Sequence, residues 1–238
     1  MELVAVPAPT ARLRLSRSAA GSSLPDAQAP DVGRVVVVAP HPDDETLGAG
    51  GTIHDLIRLG FSVTVVVVTD GAASHDDVPD LAAIRRQEAC RASIALGVAT
   101  PPHFLDLPDG QVARVRETLA SSLRMLIEGC VLVIGPRSGD GHPDHEATAE
   151  AVIEATTGIP ETRRPALWRY AIWAWAWDGI APEDLFGARV WPVTAEGRRR
   201  RSAAIATYQS QITDQWGNAI VSADMVAAVE QADEVFWC

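Results

Sequence analysis

The chain reads as a three-layer, Rossmann-like α/β domain with a mainly parallel sheet and its site at the C-terminal ends of the strands. Three observations predict this. Val35 to Ala39 and Ser62 to Thr69 are apolar, β-branched runs of the kind that suits strands covered on both faces. A helical segment stopped by Gly60 separates them, which makes a strand–helix–strand unit with a right-handed crossover. Two separate strands, ending near Ala39 and Gly135, each break off into a turn of histidine and aspartate that leads into a helix. In a parallel sheet such ends share one rim and can converge.

Taken in order, residues 1–33 are rich in Pro, Ala and Ser and hold no sustained period, so they are read as an N-terminal arm, with 34–238 as one domain. The first strand, 34–39, is followed by a polar turn and a helix from about Thr46 to Leu59, with Gly60 at C′. The strand 62–69 ends in Asp70-Gly71, and Asp70 is read as a support beside the site. A helix follows from about Asp80, a candidate N-cap, to Leu96. Next come a strand at 103–107, a helix at 115–128, a strand at 131–135 and a helix from Ala147 to Thr156.

The last third has a different texture. Leu167 to Trp177 alternates, with Trp173, Trp175 and Trp177 on one face, which predicts a strand. Those rings are read as core or interface, the alternative being a wall of the substrate cleft. Helices are expected at 194–211 and 222–231, with 234–237 as a closing edge strand. Arg198 to Arg201 are read as a solvated helix face paired with nearby carboxylates.

With 238 residues and 47% hydrophobic content the chain can bury one sizeable core. Its formal charge of −11 repels phosphate backbones and anionic lipid, so neither nucleic-acid binding nor stable membrane insertion is expected. Three widely spaced cysteines without CxxC spacing argue for a reducing compartment, and no signal peptide or transmembrane segment is visible; a cytoplasmic location is expected. The sequence leaves the oligomeric state open.

The chemistry lies in the two turns. His41, Asp43, Asp44 and Glu45 follow the first strand, and His142, Asp144 and His145 follow the fourth. A catalytic zinc takes three imidazole or carboxylate ligands and leaves a fourth position open, a set that His41-x-x-Asp44 and His145 would supply. A neighbouring carboxylate can then take a proton from water. A second histidine can stabilise an oxyanion, ideally as an imidazolium held by an acid. Glu45 is read as a first-turn residue favoured by the helix dipole or as a support behind the site, and His54, His75 and His103 as structural. The glycines at 48–51 invite a dinucleotide reading, but G-x-G-x-x-G would need glycine where Ile53 stands, so close helix packing accounts for them.

Pro-His-Pro-Asp-Asp-Glu at 40–45 followed by Thr-Leu-Gly-Ala-Gly-Gly, together with Gly-His-Pro-Asp-His-Glu-Ala at 141–147, resembles the PIG-L (LmbE-like) family of zinc-dependent N-deacetylases. The likeness covers roughly residues 34–155, with weaker echoes at Arg85-x-x-Glu88 and Leu107-Pro108-Asp109-Gly110. Pro40 departs from the family's usual Ala and alters no ligand. The resemblance implies His41, Asp44 and His145 as ligands of zinc or another divalent cation, and Asp43 as general base. It further implies His142 as oxyanion stabiliser or acid, Asp144 as a carboxylate orienting one of the histidines, and Arg85 and Asp109 as substrate contacts. The expected activity is removal of an N-acyl group, foremost acetyl, from a small amino-sugar-type substrate. The alternatives are an amidase acting on a thiol conjugate, a tailoring deacylase of a secondary metabolite and, in a different class, a catalytically idle binding protein of the same fold. Retention of both Asp43 and His142 disfavours the last.

Overall fold

The computed structural model describes residues 32–75, 78–176 and 185–238. The expected arm at 1–33 therefore lies almost wholly outside the described residues, as does Trp177. Five strands run parallel: β1 (Arg34–Ala39), β2 (Ser62–Thr69), β3 (His103–Leu107), β4 (Leu132–Pro136) and β5 (Ala166–Tyr170). Two more, β6 (Ala188–Trp191) and β7 (Glu234–Trp237), complete a seven-stranded sheet of order β3-β2-β1-β4-β5-β7-β6. Both β5–β7 and β6–β7 are antiparallel. The expected closing edge strand is thus internal. The edge is β6, a four-residue segment too short for its period to stand out.

The alternation of β1 explains the layers. Val35, Val37 and Ala39 pack on α1 (Asp44–Arg58), α2 (Leu81–Leu96) and the later α6 (Ala195–Ile205), whereas Val36 and Val38 pack on α3 (Arg116–Ile127) and α4 (Pro143–Thr157). A strand buried on both faces has no polar side to show, which is why its sequence does not alternate. Gly48 of α1 sits where a Cβ would lie 2.4 Å from the Tyr170 ring, so the glycine permits close helix–sheet packing. Successive strands step from β1 through β2 to β3, and the chain then crosses to the other side of β1 to form β4. Strand order reverses between β1 and β4, and a crevice opens at the carboxyl ends of strands at such a point.

Four expectations change. Both helices after the polar turns begin earlier than read, α1 at Asp44 and α4 at Pro143, so Asp44, Asp144 and His145 are first-turn helix residues; proline at N1 and the His142 side chain as cap start α4. Asp80 precedes α2 in a left-handed conformation but makes no side-chain cap. The strand expected over 167–177 stops at Tyr170. Asp140 Oδ1 accepts from the backbone N–H groups of Ile172 and Ala174 at 2.8 and 3.0 Å, and a short helix, α5 (Trp173–Ala176), begins there. The helix expected over 194–211 is two, α6 and α7 (Gln209–Ile212), the break occurring where Thr207 Oγ1 donates to the carbonyls of Ala204 and Glu88.

The arginine run also divides. Arg198 pairs with Asp233, and Arg199 and Arg200 with Glu196, on the expected solvated face. Arg201 is instead buried, and its guanidinium donates to Glu234 Oε1 at 2.9 Å. Glu234 also accepts from the N–H groups of Gly51 and Thr52, which pins β7, the strand that follows α8 (Ala223–Gln231), to α1. Removing one partner of a buried pair leaves an uncompensated charge. Glu234→Ala should therefore cost about 3–5 kcal/mol, read as a lower denaturant midpoint; a loss below about 1 kcal/mol would show the pair to be dispensable.

Candidate metal centre

The turn after β1 is tightly held. Asp43, the residue before α1, has φ of +125°, a conformation that side-chain-bearing residues rarely adopt. Its N–H donates to Glu45 Oε2 at 3.2 Å, and its carbonyl accepts from Thr46 and Leu47, both at 2.9 Å. The Arg85 guanidinium donates to Pro42 O and Gly71 O, each at 2.7 Å, and to Asp43 Oδ2 at 3.3 Å. Arg85 lines the cleft as a substrate contact would, yet these donors are committed to fixing the turn.

Three donors meet between the two strand ends. Asp44 Oδ2 lies 3.2 Å from His41 Nδ1 and 3.2 Å from His145 Nε2. Two donors about 2.0–2.1 Å from a tetrahedral ion such as zinc stand about 3.3–3.4 Å apart, so the spacing fits a shared cation. His145 Nε2 is buried and faces Asp44 Oδ2 without a well-directed hydrogen bond, an arrangement that a cation between the two would satisfy.

The opposite ring nitrogens are engaged as ligands require. His145 Nδ1 donates to Asp140 Oδ2 at 2.6 Å, and His41 Nε2 faces Asp144 Oδ2 at 3.3 Å and Asp109 Oδ1 at 3.2 Å. Both imidazoles are thereby turned with the free nitrogen inward. Asp144 orients His41 while accepting from the N–H groups of Gly110 and Val112, and Asp109 accepts from Ala73 N–H.

Among the described residues the donor atoms of His41, His142 and His145, and those of His41, Asp109 and Asp144, fall within 4.8 Å of one another. Neither grouping displaces the first. His142 Nδ1 accepts the Asp144 N–H at 3.2 Å, so its proton resides on Nε2, which makes it a donor rather than a ligand. Asp109 and Asp144 reach His41 only on its outer nitrogen. His142 is therefore a neutral imidazole rather than the expected imidazolium. Burial, with the neighbouring His41 and His145, holds its pKa below the ordinary value.

The charges of the metal-free centre are strongly perturbed. Burial pushes the Asp43 carboxyl up to about 8, against the Arg85 guanidinium. Burial acts to lower His145, but the Asp44 charge and the hydrogen bond to Asp140 outweigh it and raise the ring to about 9. Asp44, despite burial, is held well below the carboxylate range by His145 and His41. A divalent cation placed here would favour both carboxylates and neutral imidazoles.

The centre opens into a cleft of about 190 Å³ lined by His41, Asp43, Asp109, His142, Trp173 and Gln211, among others. Trp173 stacks at 6.5 Å from His142, so one ring of the alternating tryptophans forms cleft wall, whereas Trp175 is exposed. Asp70 caps its own turn through Ala72 N–H. His54 binds Leu96 O from inside α1, in keeping with a structural part.

Asp140 and Gln211 are site residues that the sequence reading did not assign. Asp140 stands immediately before the second motif, and only its place beside His145 marks it. Asp140→Asn would keep the oxygen that caps Ile172 and Ala174 but remove the acceptor of His145 Nδ1–H. Metal affinity should fall about 10–100-fold by chelator competition, and an unchanged affinity would mean that another contact sets the ring.

Residues 36–156, which carry both turns, match the family model described as PIG-L, GlcNAc-PI de-N-acetylase. The chain belongs to the PIG-L family. Among PIG-L relatives, a diacetylchitobiose deacetylase of Thermococcus kodakarensis is 35% identical over 58% of this chain and 55% of its own length. A probable N-acetyl-alpha-D-glucosaminyl L-malate deacetylase 2 of Bacillus anthracis is 34% identical over 58% of this chain and 65% of its own. The match thus spans between half and two thirds of these relatives. A crystal structure of the deacetylase–bog complex in the biosynthesis pathway of teicoplanin superposes with a TM-score of 0.62 at 27% identity, over 86% of this chain and 96% of that one. Among the described residues no helix is long and apolar enough to cross a membrane.

Proposed function

We propose that this PIG-L protein is a zinc-dependent hydrolase that removes an N-acetyl group from a small amino-sugar-type substrate. The observation that carries the reading is the convergence of His41, Asp44 and His145 on one point, with Asp43 and the Nε2–H of His142 on the open cleft beside it. His41, Asp44 and His145 would hold the ion. Bound there, zinc supplies Lewis acidity, polarising a carbonyl and lowering the pKa of water.

The chain's own groups supply the rest. Asp43, with Oδ2 held by Arg85, takes a proton from the attacking water. His142 Nε2–H donates to the carbonyl oxygen as negative charge builds on it. The C–N bond then breaks, and Asp43 returns its proton to the departing nitrogen, giving an amine and acetic acid, which ionises to acetate as the amine takes up the proton. At about 190 Å³ the cleft is smaller than the roughly 300–1,000 Å³ of drug-sized sites, which suits a single sugar ring with a short acyl group. Asp109 and Gln211 offer polar edges to hydroxyl groups, and Trp173 offers a ring face.

A tailoring deacylase of a secondary metabolite is the second reading, favoured by the near-complete overlap with the teicoplanin-pathway deacetylase. Acetate or amine release over a panel of N-acetylamino sugars, thiol conjugates and glycopeptide aglycones, with and without chelator, separates the two. Turnover confined to the sugars supports the first reading, turnover confined to the glycopeptides supports the second, and chelator-resistant turnover would remove zinc from both.

A further inference from the structure

Asp43 holds a backbone conformation that costs on the order of 1–3 kcal/mol, so the surrounding contacts must over-determine it. One of those contacts leads away from both motifs. The Asp43 N–H donates to Glu45 Oε2, while Glu45 Oε1 accepts from Thr46 Oγ1 at 2.7 Å and from the Tyr208 hydroxyl. Tyr208 follows α6, 163 positions from Glu45 in the chain and beyond the residues that match the family model. Glu45 and Tyr208 are each 1% exposed. The buried carboxylate therefore has three donors from protein, and the one from Tyr208 ties the strained turn to the C-terminal third.

From this geometry we infer that Tyr208 is a positioning residue for the reaction, acting through Glu45 to hold the Asp43 turn. The inference rests on the deacetylase reading. Tyr208 touches neither the cleft nor the candidate metal ligands among the contacts described, so its effect must pass through Glu45. The segment it belongs to is itself anchored: the next-but-one residue, Ser210, binds the Glu88 carboxylate through its N–H at 2.9 Å and its hydroxyl at 2.5 Å. Glu88 lies on α2, three residues after Arg85, whose guanidinium holds the same turn from the other side. One helix and one C-terminal segment thus clamp Asp43 between them. A small displacement of a reacting group lowers rate far more than it lowers binding.

The test is Tyr208→Phe in the zinc-loaded full chain, with Thr46→Val, which removes the other hydroxyl donor to Glu45, as a second variant. We expect kcat to fall about tenfold with KM within about twofold and one zinc per chain retained. The variants should be less than additive when combined with Glu45→Gln, since all act on one carboxylate. A readout independent of turnover is amide hydrogen exchange in the peptide covering 40–47: it should speed up in both variants while the peptide covering β4 is unchanged. Parent kcat together with unchanged exchange at 40–47 overturns the inference. Faster exchange at 40–47 in a chain that hydrolyses no N-acetyl substrate would retain the turn-holding role and count instead against the deacetylase reading. A variant whose KM rises with kcat unchanged would make Tyr208 a binding element and also overturn it.

Discussion

Asp43→Asn should bind zinc at the parent stoichiometry and lose about 10²–10⁴ of kcat. The replacement is nearly isosteric, and asparagine is among the side-chain-bearing residues most tolerant of positive φ, so the turn at +125° should survive it. An amide oxygen can still face Arg85. What the amide cannot do is accept a proton from water at neutral pH. The expected loss corresponds to about 3–5 kcal/mol of transition-state stabilisation. Metal analysis and initial rates on the same preparation decide it. Parent turnover would exclude Asp43 as the base, and loss of zinc in step with activity would reassign it as a ligand. Asp44→Asn is the companion variant. Its carboxylate lies 3.2 Å from both inward imidazole nitrogens, so zinc itself should be lost.

Particular residues show why parts of this centre are readable in sequence. Val35 to Ala39 could belong only to a strand covered on both faces, and the strand's end had to be a rim. His41, Asp43 and Asp44 follow it within five positions, so their proximity is local and costs no inference about topology. His145 needed one further step, the parallel relation of β1 and β4, which the pairing of Val37 with Ile134 provides.

What escaped depends on single contacts that leave no period. Asp140 stops the strand at Tyr170 by capping Ile172 and Ala174, yet its neighbourhood reads as one more polar turn. The alternating tryptophans gave a strand period that this one carboxylate overrode. Tyr208 meets Glu45 only because α6 packs on α1 across most of the chain's length, and Arg201 is buried only because Glu234 arrives from β7. Long-range polar partners are invisible to a pattern read along one segment, however clear its period.

Chelation should abolish turnover, zinc should restore it, and the stabilisation that zinc provides should grow between about pH 6.5 and 9. In the metal-free chain burial opposes the charged form of His145, but the Asp44 carboxylate and the bond to Asp140 more than compensate and raise its pKa to about 9, above an unfolded value near 6.5. The folded state then binds this proton more tightly than the unfolded state. The stability it contributes is fully present below about pH 6.5 and disappears as pH rises through about 9. Zinc competes for the same Nε2 and needs it unprotonated, so apparent affinity climbs by up to about tenfold per pH unit for each proton displaced, then levels off. His41, raised by Asp109, Asp144 and Asp44 against its burial, acts in the same direction. Zinc at about 1,000 times its Kd adds about 4 kcal/mol, or roughly 8–16 °C of unfolding midpoint for a chain of this size. At a fixed free zinc concentration, the midpoint difference between loaded and chelated protein should therefore be smaller at pH 6 than at pH 8.5. A difference that shrinks with rising pH would place the ion on groups other than His41 and His145, because only a site that must shed imidazole protons strengthens across that window.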